Sequence, residues 1–309
     1  MRRVHLSRNG LLRNLYLCPG HQRRTMSLIW LPFSIATIVM YGLGQVFAKE
    51  TRTNVSSANI LLILGGNMFV MWLAYWIIFR EPGSYAMAAW LQAAGAAALS
   101  GAAFVTYYES LKHGKISVVG TIAGAYAPWT VVLALVFLGE SMSLGEGLGV
   151  VLVVSSMLIF TYSVGNNGDK KTELLGIVFA IASLFFWGTS AALAKGAIDE
   201  IGDTNFIGLY ALVCPSIWLV YWLGTERGSF EMPKSNKWIL ELSMLFIAGG
   251  GVTLYLAIAN GNVSIVSPVT NLYPLLTIAV AKVRLKEKLT LRQIVALALL
   301  FVSIPLFSL

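Results

Sequence analysis

The sequence predicts an all-α membrane protein with ten transmembrane helices arranged as two inverted five-helix repeats. First, the 309 residues are 57% hydrophobic and only 12% charged, with a mean hydropathy of +0.74. That composition is typical of membrane proteins and excludes an ordinary soluble domain. Second, the apolar runs are about 20 residues long, which suits a membrane helix and is about twice the length of a barrel strand. Third, the sequence contains a long duplication.

The duplication relates residues 105–160 to residues 252–307 without a gap, at a shift of 147 positions. A shift of 146 relates the preceding part of each copy, so the two shifts differ by a single inserted residue. Self-similarity at a long period indicates duplicated architecture. Because each copy contains an odd number of predicted helices, the second copy enters the membrane in the opposite orientation, as in an inverted repeat. Matched pairs include Gly42 with Gly188, Asn59 with Asn205, Trp72 with Trp218, Ser117 with Ser264, Tyr126 with Tyr273 and Glu140 with Glu287.

The ten predicted spans follow one another from Leu28 with short connections, so we expect the first repeat at 28–165 and the second at 173–309. Residues 1–27 form a tail with six arginines and no acidic residue. Such a leader resembles an organellar targeting segment, and the alternative is a mis-assigned start with translation beginning at Met26. The predicted spans are 28–48, 59–79, 85–107, 115–138, 144–164, 174–194, 206–224, 237–258, 263–283 and 290–309.

The net charge of +8 comes from basic residues in the connections and the tail. Their position indicates orientation in a lipid bilayer, and we expect no nucleic-acid partner. The connections after spans 1, 3, 5, 7 and 9 hold 14 Lys and Arg residues, whereas the other side holds Arg80, Lys195 and the tail. The positive-inside rule therefore predicts that both termini lie outside the cytoplasm.

Two glutamates occupy matched turns before the fifth helix of each repeat. Glu140 precedes Ser143-Leu-Gly-Glu146, and Glu287 precedes Thr290-Leu-Arg-Gln293, which are matched capping boxes. We expect both glutamates to anchor turns at the membrane surface rather than to contact a solute.

Polar and aromatic residues inside the spans are the candidates for a binding site, because such side chains are costly against lipid and normally face the interior. Three pairs are related by the duplication, and matched residues of this kind suit a site on a pseudo-two-fold axis. Clustered aromatic residues near span ends, such as Trp72, Trp76, Trp218 and Trp222, are expected to be interfacial anchors. The candidates are Tyr41 with Trp187, Tyr108 with Tyr255, and Tyr126 with Tyr273, together with Gln45, Gln92, Thr270 and Asn271.

The run Gly249–Gly251 in the eighth span allows either close helix packing or a cavity lined by backbone. Catalytic and metal-binding constellations are missing from the spans, because the three histidines are His5, His21 and His113. We therefore expect no enzyme, no cofactor and no metal. The acids nearest to a span interior, Glu109 and Glu241, lie close to span ends. Facilitated movement or exchange is thus at least as compatible with the sequence as proton coupling.

The chain resembles the EamA branch of the drug/metabolite transporter superfamily over residues 28–309. The resemblance rests on two five-helix halves, on Tyr41-Gly42 and Trp187-Gly188 in the first helix of each half, and on a Leu-x-Glu turn before each fifth helix. It implies a central cavity between helices 1, 3, 4, 6, 8 and 9, transport of small metabolites such as amino acids, and both termini in the cytoplasm. That last implication opposes the charge count, so orientation stays open.

We expect a transporter of a small-molecule solute, embedded in the cell (inner) membrane as a monomer or homodimer. Alternating access at the repeat interface would carry the solute. The alternative is a non-transporting multi-span protein, either an assembly subunit or a membrane-embedded enzyme.

Overall fold

The computed structural model describes residues 28–51, 55–80, 82–113, 119, 122–161, 170–231, 236–273, 276, 280 and 291–306. Every regular element in these ranges is helical, which confirms the predicted all-α class. The tail at residues 1–27 lies outside the described residues. The helices are α1 (Trp30–Thr51), α2 (Ser57–Phe79), α3 (Met87–His113), α4 (Tyr126–Phe137), α5 (Leu144–Thr161), α6 (Lys170–Ile201), α7 (Asp203–Glu226), α8 (Lys237–Asn260), α9 (Val263–Thr270) and α10 (Leu291–Leu306).

Six of the described helices, α1, α2, α3, α6, α7 and α8, are long and apolar enough to cross a membrane. Shorter apolar helices cover Ile122–Phe137 and Leu144–Ser156. Large apolar side chains such as Val70, Ile78 and Val220 are about 70% exposed on the helix surfaces, as lipid-facing residues are. The protein is therefore an integral multi-pass membrane protein, while the count of ten spans stays a prediction.

Helix α5 begins with the predicted capping box. The Ser143 N–H donates to the Glu146 carboxylate at 2.6 Å, and the Glu146 N–H donates to the Ser143 hydroxyl at 3.1 Å. Two backbone donors that the first helical turn leaves unpaired are thus satisfied by side chains. The matching prediction for Glu287 and Thr290 lies outside the described residues.

The two repeats pack into each other rather than side by side. Helix α1 packs on α8, α3 on α6, α2 on α7, α5 on α10 and α4 on α9. Each of these pairs takes one helix from each repeat, and the duplication converts the α1–α8 pair into the α6–α3 pair. The interior of the bundle is therefore the interface between the repeats.

Two buried tryptophans make equivalent hydrogen bonds across this interface. The indole N–H of Trp72 donates to the carbonyl of Ala248 at 2.8 Å, and that of Trp218 donates to the carbonyl of Gly101 at 3.1 Å. The tryptophans are matched by the shift of 146 and the acceptors by the shift of 147. An exchange of this kind is what an approximate two-fold axis between the repeats requires.

The expectation that Trp72 and Trp218 are interfacial anchors is wrong, because both side chains are fully buried. Small residues explain how bulky indoles fit between helices: a Cβ at Gly251 would lie 2.4 Å from Cζ2 of Trp72. Likewise, a Cβ at Gly250 would lie 2.5 Å from Cδ1 of Tyr41. The glycine run of α8 thus allows close packing of aromatic rings from α1 and α2.

A second pair of indoles repeats the pattern nearer the helix ends. The Trp76 N–H donates to the side-chain oxygen of Asn205 at 3.2 Å, and the Trp222 N–H donates to that of Asn59 at 2.8 Å. Trp76 is half-buried, whereas Trp222 is only 9% exposed and is therefore also no interfacial anchor. Helices α2 and α7 are consequently joined at both ends by matched bonds.

Candidate functional site

The central feature of the bundle is a break in the fourth helix of each repeat. In the first repeat a helical turn at 122–124 is separated from α4 by a turn at Ala125. In the second, α9 ends at Thr270 and a turn at Asn271 and Leu272 follows. Ala125 and Leu272 are equivalent by the shift of 147. Irregular backbone at membrane depth is tolerated where it is buried in protein or lines a cavity, and transporters place binding sites at such breaks.

One hydrogen bond joins the two breaks. Pro128 lies in the first turn of α4 and has no N–H, so it cannot donate to the carbonyl of Gly124 four residues earlier. The side-chain amide of Asn271 donates to that carbonyl at 2.6 Å instead, with Asn271 only 2% exposed. Gly124 and Asn271 are themselves equivalent by the duplication. This bond therefore lies on the pseudo-two-fold axis.

Two aromatic pairs flank the axis, and each pair joins the repeats. The rings of Tyr41 and Tyr273 are 5.5 Å apart in an edge-to-face arrangement, and the rings of Tyr126 and Trp187 are 5.9 Å apart. The duplication converts one pair into the other. All four side chains are half-buried although their helices pack inside the bundle. The structure thus brings together four of the predicted site residues.

Four tyrosine side chains lie near one another in this region. The side chain of Tyr41 lies near those of Tyr126, Tyr255 and Tyr273, and the side chain of Tyr255 also lies near that of Tyr126. These four residues come from α1, α4, α8 and the segment after α9. Tyrosines from both repeats therefore lie close to the place where α4 and α9 pack together.

Tyr108 and Tyr255, the third matched pair, are more deeply buried than the other four aromatic residues. Tyr255 is 6% exposed, with its ring 4.8 Å from Phe206 and 5.3 Å from Tyr210. Tyr108 is 5% exposed and has its ring 5.7 Å from Tyr107. Both lie in the aromatic packing that surrounds the central region.

The predicted polar residues have partners of different kinds. Gln45 is half-buried on α1. Gln92 donates its amide to the carbonyl of Leu193 on α6 at 3.1 Å, which joins the repeats. The hydroxyl of Thr270 donates to the carbonyl of Val266 at 2.8 Å, within its own helix.

Two aromatic residues beside the site were missed by sequence reasoning. The Phe104 ring contacts Trp187 and Trp218, with centroids 5.1 Å from each, and therefore connects the site to the buried tryptophans. Trp129 donates to the hydroxyl of Thr189 at 3.1 Å. A search for polar residues passes over Phe104. A Cβ at Gly188 would lie 2.6 Å from the ring of Trp129, and this contact between residues 59 positions apart is visible only in the assembled fold.

The charged residues inside the described helices lie towards the helix ends. Glu109 pairs with Lys112 at 2.7 Å and also accepts from the Tyr221 hydroxyl, near the end of α3. Glu241, in the second turn of α8, accepts from the Asn67 amide at 2.8 Å. The described residues that flank the axis are uncharged. Their hydroxyls, amides and aromatic faces suit a solute without net charge.

Comparison with known proteins finds a family model that matches both repeats. The model of the EamA-like transporter family matches residues 28–162 and again 174–309. This double match agrees with the duplication read from the sequence.

Two curated relatives carry transporter names. The mouse protein "Solute carrier family 35 member F5" is 24% identical over 147 residues, which are 44% of this chain and 27% of that protein. An "Uncharacterized transporter" of Archaeoglobus fulgidus is 23% identical over 215 residues, which are 66% of this chain and 70% of that protein. The chain therefore spans about a quarter of the mouse relative and most of the archaeal one.

A solved crystal structure has the same fold. The superposition covers 92% of this chain and 99% of the chain in that structure, with a TM-score of 0.77 and 14% sequence identity. At that identity the likeness concerns the arrangement of helices alone.

Proposed function

The chain belongs to the EamA-like transporter family, and on this premise we propose that it carries a small neutral or zwitterionic metabolite across the membrane. The named relatives are transporters, and the protein itself is a multi-pass membrane protein. It acts without catalysis. Amino acids are one class of solute that fits this description.

The observation that carries the proposal is the pair of aromatic contacts on either side of the Asn271–Gly124 bond. The four aromatic side chains of these pairs are only half-buried inside the bundle. A solute could therefore reach their rings without displacing much of the protein. Their rings would enclose the apolar part of the solute, and Gln45 and the tyrosine hydroxyls would bind its polar groups. Burial of a net charge here would be costly, which is why an uncharged or zwitterionic solute is favoured.

The other predicted site residues make hydrogen bonds and packing contacts within the protein, and these contacts hold the central region in place. Gln92 and Asn271 use their amides on backbone carbonyls of the other repeat. Thr270 bonds within α9, and Tyr108 and Tyr255 pack behind the half-buried rings. We assign these five residues the part of positioning the helices and rings that meet the solute.

The mechanism that suits this arrangement is alternating access. Ten spans in two inverted repeats would place the breaks of α4 and α9 near the middle of the bilayer. Rocking of one repeat against the other would then open the central region to one side at a time.

Flux through proteoliposomes tests the function. The purified protein is first screened by thermal shift against amino acids, sugars, nucleosides and cationic drugs, and the stabilising compound is then used as a radiolabelled probe. Tyr126→Ala and Tyr273→Ala should each lower its flux by about tenfold, because each loses aromatic contact worth ~1.4 kcal/mol. Both variants should still fold, with melting temperatures close to that of the parent.

Tyr85→Ala is the matched control, since Tyr85 lies between α2 and α3 with its ring 6.2 Å from Trp90. Its flux should equal that of the parent. Unchanged flux when Tyr126 and Tyr273 are both replaced would reject the site. Protein that transports none of the compounds by which it is stabilised would favour the non-transporting alternative.

A further inference from the structure

Glu140 makes a contact that its turn alone does not require. One carboxylate oxygen accepts from the N–H of Val263 at 2.9 Å, and the other accepts from the N–H of Ser264 at 3.0 Å. Glu140 follows α4 in the first repeat, whereas Val263 and Ser264 begin α9 in the second. Both oxygens of the carboxylate are therefore used to join the repeats.

Helix α9 depends on this carboxylate for its capping. The side chain of Asn262, the N-cap residue, makes no capping hydrogen bond, and all eight residues of α9 are buried. The first N–H groups of a helix have no partner inside the helix, and water does not reach them easily at a buried end. A carboxylate satisfies them and also interacts favourably with the positive end of the helix dipole.

Two ties thus hold α9 against the first repeat. Glu140 binds the outer end of α9, and the Asn271–Gly124 bond holds the point where α9 breaks off. Connections after even-numbered helices lie on one face of a bundle whose helices alternate in direction. We name the face that carries Glu140 and Val263 the α4–α5 face. The outer half of α9 cannot move away from α4 on this face while Glu140 stays bound.

We infer that Glu140 is a releasable latch that closes the α4–α5 face in one state of the transport cycle. The inference rests on the proposed transport function. Opening of this face would separate the end of α4 from the start of α9, so the two bonds to Glu140 exist only while the face is closed. When the α4–α5 face opens, water would solvate both the Glu140 carboxylate and the first N–H groups of α9.

Ser264 adds an observation in the same place. Its hydroxyl is buried and has no hydrogen-bond partner among the described residues. An unsatisfied buried hydroxyl destabilises the closed arrangement, and water would satisfy it when the face opens. In the closed state, the Glu140 bonds are therefore stabilising and the unsatisfied Ser264 hydroxyl beside them is destabilising. Opposing contributions of this kind keep the closed and open states close in free energy.

The test measures access to the α4–α5 face by cysteine labelling. Cys18 and Cys214 are replaced by serine, and Ser267→Cys places one thiol a single turn further along α9, where the parent side chain is 2% exposed. A membrane-impermeant maleimide is applied to sealed vesicles of both orientations, and the exposed Ser141→Cys identifies the vesicles whose α4–α5 face is outside. Glu140→Gln should raise the labelling rate from that face about tenfold, because it removes a charge-assisted acceptor.

Glu146→Gln is the matched control, because Glu146 lies in the same connection but caps its own helix. Its labelling rate at position 267 should stay that of the parent. Glu140→Asp keeps the charge on a shorter side chain and should give an intermediate rate. Parent-like rates in both Glu140 variants would overturn the latch.

A second thiol separates opening from unfolding. Ser243→Cys replaces a fully buried serine on α8 and should stay unlabelled in every variant. If Glu140→Gln raises labelling at positions 243 and 267 alike, Glu140 merely stabilises the fold and the latch is overturned. Labelling requires no solute, so it tests the latch independently of the transport function. If the parent transports a solute but the Glu140 variants are labelled at position 267 at the parent rate, the latch is rejected and the transport function is not.

Discussion

The structural role of a tryptophan or an asparagine in this bundle depends on which atom its polar group is hydrogen-bonded to. The buried indoles of Trp72 and Trp218 donate to backbone carbonyls of the other repeat, whereas Trp238 on α8 is 78% exposed. Residue type and distance from a span end do not separate these cases. The carbonyl that accepts from Trp72 is 176 residues away, and no local pattern points to it.

Asn271 is the residue whose loss should be felt most directly at the axis. Asn271→Ala would leave the Gly124 carbonyl without a donor, since Pro128 has none. The expected cost is about 1–3 kcal/mol of stability, seen as a lower melting temperature in detergent. Asn262→Ala, at the other end of the same helix, removes a side chain with no capping bond and should cost much less. Equal shifts from the two variants would contradict the proposed role.

At the scale of helices, packing distance is set by small residues that face large rings. The sequence left two interpretations of Gly249–Gly251 open, close packing and a cavity lined by backbone. The structure shows rings of α1 and α2 against Gly250 and Gly251, which is the packing interpretation. Which ring meets which glycine depends on the register of one helix against another, and that register is set by the shapes of both surfaces.

Gly251→Ala tests this packing. The added methyl would lie 2.4 Å from the Trp72 ring, which is fully buried and cannot move aside easily. Overpacking should cost about 1–3 kcal/mol and lower the melting temperature. Gly95→Ala is the matched control on α3, because its methyl would meet nothing within 4 Å. That variant should be neutral or stabilised by up to about 1 kcal/mol through helix propensity. Destabilisation of both variants to the same degree would reject the packing explanation.

The turn before α5 shows how far a local motif can be followed. The capping box of Ser143 and Glu146 was predicted from four residues and is confirmed. Glu140 was expected to anchor a turn, but its carboxylate binds backbone 123 and 124 residues further along the chain. Local spacing specifies a cap that a segment makes for itself, whereas a cap supplied by another segment depends on the assembled fold.

For the whole molecule, the duplication predicted which residues are equivalent, and the structure adds which of them meet. Tyr41 was matched with Trp187 and Tyr126 with Tyr273, yet the ring contacts join Tyr41 to Tyr273 and Tyr126 to Trp187. A shift along the sequence relates positions by symmetry, but away from the axis itself the contacts between the repeats join residues that are not equivalent. The sequence therefore identified these four residues as related by the duplication, but their contact partners were visible only in the structure.

Equivalent substitutions in the two repeats should both destabilise the protein, but to different degrees. Asn59→Ala and Asn205→Ala would each remove the acceptor of an indole N–H, at a cost of about 1–3 kcal/mol for a buried donor. Asn59→Ala should be the more damaging, because Trp222 is buried while Trp76 is only half-buried, under the Arg80 side chain.

A double-mutant cycle measures the bond itself. Trp222→Phe in the Asn59→Ala background removes the orphaned donor, so the two changes together should cost less than the sum of the single changes. Strict additivity of the melting-temperature shifts would show that the bond between Asn59 and Trp222 contributes nothing.

The exchanged indole bonds make the contact between the repeats isologous. Each repeat offers the donor and the acceptor that a second copy of itself would need, so the same interface could be built by two copies of one half-length polypeptide inserted in opposite orientations. Fusion into one chain removes the need for identical halves. Glu109, which binds Lys112 and Tyr221, has Leu256 at its matched position. A homodimer of identical halves would have to carry this ion pair on both membrane faces, whereas the fused chain has Glu109 on one face and Leu256 at the equivalent place on the other.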